Sequence, residues 1–179
     1  NVDIAIQKDA TFVVREEQTF AFTGNFHFVT RTISRNKTED ITDVRVFEKD
    51  GKELGAGELS VSKDSENVVV RLDFDLTDTT RTWIFQYTVH GGIGYFDDHD
   101  ELYWNAVSSD RDVQISEARV VVRLPEAEGA GPNLDELRAQ LYTNSGARAT
   151  YEIPDNNTFV YESNGTLGAG TDFTIVAGW

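Results

Sequence analysis

Several residue types are missing from this 179-residue chain, and each gap removes a class of explanation. There is no cysteine, so disulfides and thiolate chemistry are excluded. There is no methionine either, so the chain is expected to be a processed product or a piece of a longer protein. No run approaches the roughly 18 apolar residues of a membrane helix, and no signal peptide stands at its start. Cationic residues are scarce: 16 Lys and Arg stand against 31 Asp and Glu, for a net charge of −15 and a pI of about 4.4. Phosphate binding needs clustered Lys and Arg, so no nucleic-acid partner is expected. An anionic membrane surface is disfavoured for the same reason. The deficit is uneven. Residues 1–90 hold 11 basic against 16 acidic side chains, and residues 91–179 hold 5 against 15, with every lysine at or before Lys63. Familiar catalytic signatures are absent too. There is no G-x-S-x-G elbow, no H-E-x-x-H and no EF-hand spacing.

What is present is a period of two. Apolar residues alternate with polar ones over Val2 to Ile6, Thr11 to Phe22, Asn25 to Ile33, Ile41 to Glu48 and Asn67 to Leu76. The pattern returns over Thr82 to Val89, Val113 to Leu124, Ala149 to Ile153, Thr158 to Glu162 and Thr171 to Ala177, and more weakly over Glu58 to Ser62. Such alternation marks half-buried strands. Glu16-Glu17-Gln18 interrupts the second run and predicts a bulge there. Asn133, followed three residues later by Glu136, forms a capping-box pattern, and Leu134, Leu137 and Leu141 share one helical face. One short helix is therefore predicted over Asn133 to Tyr142, between loops at Glu126 to Gly131 and Thr143 to Gly146. With no βαβ alternation, the fold expected is all-β: an antiparallel two-sheet β-sandwich with one short helix, a single domain over residues 1–179.

Chemistry is concentrated in residues 91–105. Gly91-Gly92-Ile93-Gly94 lacks the lysine and the following helix of a phosphate loop. The acids Asp97, Asp98, Asp100 and Glu101 could supply oxygen ligands to a hard cation such as calcium, or form a solvated acidic turn. Two acids facing one cleft would suit glycoside hydrolysis, with Asp98, Asp100 or Glu101 as acid or base. Tyr95, Tyr103, Trp104 and Asn105 are candidate ligand-binding residues. Alternation puts Tyr103 and Trp104 on opposite faces, so one of them is free to stack on a sugar. Asn105, closing the strand, is expected to bond to backbone and to have a structural role.

Four segments belong together: Gln7 to Glu16; Phe20 to Phe26 leading to Arg31-Thr32-Ile33; Ile41 to Val46; and, most specific, Tyr87-Thr88-Val89, then Asp98-His99-Asp100-Glu101-Leu102-Tyr103-Trp104-Asn105, then Ile115 to Pro125. In these the chain resembles a known family, the predicted bacterial membrane proteins carrying DUF2207. Ala10 stands where that family has glycine, and Ser108-Ser109-Asp110-Arg111 departs from the glycine and tryptophan often found there. The resemblance implies an extracytoplasmic domain, exported by a removable signal and followed by transmembrane helices beyond Trp179. It implies no catalytic residue. The expected function is a non-enzymatic binding or structural module at the cell surface, with an envelope glycan or protein as partner. An envelope carbohydrate enzyme and a calcium-stabilised module are the alternatives.

Overall fold

The computed structural model describes residues 1–126 and 131–179. The expected loop at Glu126 to Gly131 therefore lies mostly outside the described residues. Strands are nearly the only regular structure of the described chain. In order these are β1 (Val2–Ile6), β2 (Phe12–Ala21), β3 (Asn25–Ser34), β4 (Asp40–Glu48), β5 (Leu59–Lys63), β6 (Asn67–Thr77) and β7 (Thr80–His90). After them come β8 (Ile93–Tyr95), β9 (Asp100–Val107), β10 (Arg119–Arg123), β11 (Arg138–Tyr142), β12 (Ala149–Asp155), β13 (Thr158–Ser163) and β14 (Phe173–Gly178).

They form three sheets, not the two expected. Seven strands run in the order β12-β13-β10-β1-β2-β7-β4, four in the order β11-β14-β9-β8, and three in the order β3-β6-β5. Both small sheets cover the same face of the large one. On that face β2 presents Phe12, Val14 and Glu16, and β7 presents Trp83, Phe85, Tyr87 and Val89. Phe74 of β6 stacks on Trp83, 5.1 Å between ring centroids. Trp104 of β9 meets Phe12 edge-on at 5.2 Å, and the Tyr161 hydroxyl of β13 donates to the Val176 carbonyl of β14 at 2.5 Å. Rings buried this way contribute about 1.5–3 kcal/mol each. Twist explains the split. Neighbouring strands rotate by roughly 20–25°, so a seven-stranded sheet turns too far for one flat partner to follow. The pairing is also not wholly antiparallel, because β1 runs parallel to β10.

Three local expectations need correction. The predicted helix is only a 3₁₀ turn at Leu134–Glu136, where the Asn133 backbone amide donates to the Glu136 carboxylate at 3.1 Å. Arg138 to Tyr142 is strand β11, paired with β14. Leu137 and Ala139 are buried and Leu141 packs on the core, so those residues also satisfy a period of two, and the ladder offered by β14 decides between the periods. The strand expected from Val113 shrinks to Arg119–Arg123, preceded by a single bridge between Ile115 and Leu167. No bulge interrupts β2, which pairs with β7 in unbroken register from Phe12↔Val89 to Ala21↔Thr80.

Glu16 stays in that ladder because its charge is matched. Its side chain is 1% exposed. Arg31 of β3 reaches across the sheets and donates from Nε to Glu16 Oε2 and from Nη2 to Oε1, both at 2.8 Å. The Tyr87 hydroxyl donates to Oε1 and the Gln18 amide to Oε2, each at 2.6 Å. Burial would push the Glu16 carboxyl up, but the Arg31 guanidinium and these donors hold it below the ordinary glutamate value.

Candidate functional site

Residues 91–105 form a hairpin at the edge of the four-stranded sheet. Its entry needs glycine twice. Gly91 sits at φ +64° with the Glu39 side chain against its Cα, and a Cβ on Gly92 would lie 2.7 Å from the Phe12 ring. β8 pairs with β9 from Ile93↔Leu102 to Tyr95↔Asp100, and the tip closes with the Phe96 amide donating to the His99 carbonyl at 2.9 Å.

Alternation sorts the candidates. Leu102, Trp104 and Ala106 face the large sheet. Trp104 is 6% exposed, so it is core and cannot stack on a ligand. Glu101, Tyr103 and Asn105 face outward, where register extends them into three cross-strand rows. These are Tyr103–Val176–Gln140, Asn105–Thr174–Tyr142 and Glu101–Gly178–Arg138. Val176 and Thr174 are covered by their taller neighbours, while Tyr103, Asn105, Gln140 and Tyr142 are exposed. The Asn105 side chain makes no hydrogen bond among the described residues, so its expected structural role fails: the ladder satisfies its backbone, and its amide points into solvent. Lys37, from the β3–β4 loop, sets its ammonium 3.8 Å over the Tyr103 ring. A hollow of about 160 Å³ lies between Lys37, Tyr103, Glu101 and the Gly92–Gly94 backbone. Tyr95 stands apart from these rows, exposed near the hairpin tip.

The acids do not converge. Asp98 Oδ1 lies 2.7 Å from His99 Nδ1, and Oδ2 lies 3.1 Å from Arg138 Nη2. Hydrogen bonds from His99 and Arg138 hold the Asp98 carboxyl below the usual range. Glu101 Oε2 is 3.7 Å from His99 Nε2, and the His99 ring stacks on Phe96 at 4.8 Å. Asp97 is exposed, and the backbone of Asp100 is bonded to Trp179. Among the described residues no three His, Asp or Glu side chains gather as a metal-ligand set.

Glu101, Tyr103 and Asn105 themselves lie in the segment whose residues carry the resemblance noted above. A family model described as "Predicted membrane protein (DUF2207) N-terminal domain" matches residues 1–179. The chain belongs to this family. A search of curated proteins returned no match. Among solved structures, the DUF2207 domain is similar to one from Parabacteroides distasonis ATCC 8503 described as a "putative protease", with a TM-score of 0.50 and 13% identity. The match covers 98% of this chain and 38% of that one, and at such identity it speaks for the fold alone. No helix among the described residues of the DUF2207 domain is long and apolar enough to cross a membrane.

Arg138, Gln140 and Tyr142 of this surface escaped the sequence reading because their segment also fits a helix. The signal that finds them is polar residues at every second position, between Leu137, Ala139 and Leu141.

Proposed function

We propose that this domain is a non-enzymatic binding module on the outer side of a bacterial membrane, anchored by segments outside this chain, and that it takes an envelope glycan. One observation carries this reading: Tyr103, Asn105, Gln140 and Tyr142 stand exposed together on one open sheet face. Tyrosine rings offer apolar faces to sugar rings, and amides offer both donors and acceptors to sugar hydroxyls. The ladder holds these groups in fixed rows, so little ordering is needed on binding. The hollow beside Lys37 and Glu101 suits a polar substituent of the same ligand.

Catalysis finds less support. A glycosidase needs one carboxyl raised toward neutrality, whereas Asp98 is held low by an arginine and a histidine. The same pairing withdraws Asp98 from a calcium site. Isothermal titration against envelope glycan fragments tests the reading. Tyr103→Ala and Tyr142→Ala are each expected to weaken binding about tenfold, the effect of losing about 1.4 kcal/mol of ring contact. Absence of wild-type binding to any envelope glycan, or wild-type affinity retained by both variants, would sink it.

A further inference from the structure

One end of the four-stranded sheet collects exposed apolar side chains around the last residue of the domain. Tyr95 pairs with Asp100, and Asp100 exchanges both backbone hydrogen bonds with Trp179, at 2.9 and 3.0 Å. Directly opposed residues share a face, so Tyr95, Asp100 and Trp179 form one row. Tyr95 is 66% exposed and the adjoining Phe96 is 55% exposed. Trp179 packs partly against the core. Arg138 pairs with Gly178, so the turn carrying the exposed Leu134 enters β11 at this same end. None of these rings belongs to the three cross-strand rows, although Phe96 also borders the hollow beside Lys37.

We propose that this end of the domain rests in the headgroup layer of a bilayer, with Tyr95, Phe96 and Trp179 as interfacial anchors. The family description makes residues 1–179 the N-terminal domain of a predicted membrane protein, so the membrane-bound part follows on the Trp179 side. Tyrosine and tryptophan are the residues favoured at that depth, because each joins an apolar body to one polar group. The charges at this end limit the contact to the headgroups. Asp98 and Glu101 turn toward Arg138 and His99, while Asp97 and Asp100 form no ion pair among the described residues. Attraction to anionic lipid therefore contributes nothing, and the occupant is a bilayer rich in zwitterionic lipid.

This inference rests on the membrane-anchored reading, and one experiment separates the two. The domain has no cysteine, so Asp97→Cys in the full-length parent, freed of any other cysteine, carries a fluorescent reporter at the hairpin tip. Lys49→Cys is the reference. It follows β4, which ends opposite Trp83, six residues or about 20 Å along β7 from the Val89–Phe12 level where the hairpin packs. The protein is reconstituted into phosphatidylcholine–phosphatidylethanolamine vesicles bearing headgroup nitroxides. Quenching at position 97 is expected to exceed that at 49 by about threefold or more, and adding Tyr95→Ser with Phe96→Ser should remove most of the excess. Equal quenching at both positions, in protein that floats with the vesicles, overturns the inference and leaves membrane anchoring intact. Protein that does not float overturns both.

Discussion

Replacing Arg31 by methionine removes the positive charge from the buried cluster while keeping most of the side-chain volume. Glu16, 1% exposed, then keeps only Tyr87 and Gln18 as donors. Breaking a buried pair by removing one partner costs about 3–5 kcal/mol, because the remaining charge is left desolvated. A domain of this size holds about 5–15 kcal/mol in total, so the variant is expected to fold with much of its margin gone. With a urea slope of about 2 kcal/mol/M, the midpoint should fall by about 1.5–2.5 M. The pH dependence identifies the cause. In the wild type the Glu16 carboxyl is held below its unfolded value, so its contribution is complete above that value, near 4.3, and is lost as pH falls through the folded one. Without Arg31, burial dominates and the folded value rises above the unfolded one. The penalty is then present at neutral pH and fades on acidification. The difference between variant and wild type should therefore be largest at pH 7 and shrink toward pH 4. Adding Glu16→Gln should recover stability relative to Arg31→Met alone, because a neutral carbonyl still accepts from Tyr87. A loss under about 1 kcal/mol at pH 7, or a loss that stays constant from pH 7 to pH 4, would refute this account.

Three further outcomes follow from the hairpin. Asn105→Ala should change unfolding free energy by less than about 0.5 kcal/mol, since its amide is exposed and unbonded; a larger loss in urea titration would show a contact that the geometry lacks. Gly92→Ala should lose about 1–3 kcal/mol, because the new Cβ meets the buried Phe12 ring at 2.7 Å; an unchanged midpoint would mean that Phe12 moves aside freely. Millimolar calcium should leave the melting temperature unchanged, because Asp98 is already engaged by Arg138 and His99. A rise that disappears in Asp98→Asn with Asp100→Asn would restore the cation site at Asp97, Asp98, Asp100 and Glu101.

Alternation locates β2, β6 and β7, because every second side chain over part of each strand is buried: Phe12, Val14 and Glu16 on β2, Val68, Val70 and Leu72 on β6, and Trp83, Phe85, Tyr87 and Val89 on β7. It misled at Glu16, where three polar residues in a row look like an interruption. The counterpart was legible only as a second charged residue at an inward position, Arg31, two residues before the buried Ile33. Nothing local says that these two meet, since the contact joins different sheets. The split of the second layer and the parallel β1–β10 pair are non-local in the same way. At β11 two periods compete over five residues, and only the free edge of β14 decides between them.

The two halves of the second layer divide the work, and this bears on how the proposed binding surface can be tested. The three-stranded sheet is fastened to the large sheet through Arg31 and Glu16, and through Phe74 on Trp83. The four-stranded sheet is fastened through Trp104, Ile175 and Ala177, all on its inner face. Its outer face buries only Thr174, Val176 and Gly178, on the central strand. Tyr103, Asn105, Gln140 and Tyr142 therefore stand where folding makes little demand on side-chain identity. Substitution at the four positions should alter ligand affinity with little change in unfolding free energy, whereas substitution at Trp104, one residue away on the same strand, should do the reverse. That separation within a single strand follows from the pleat alone.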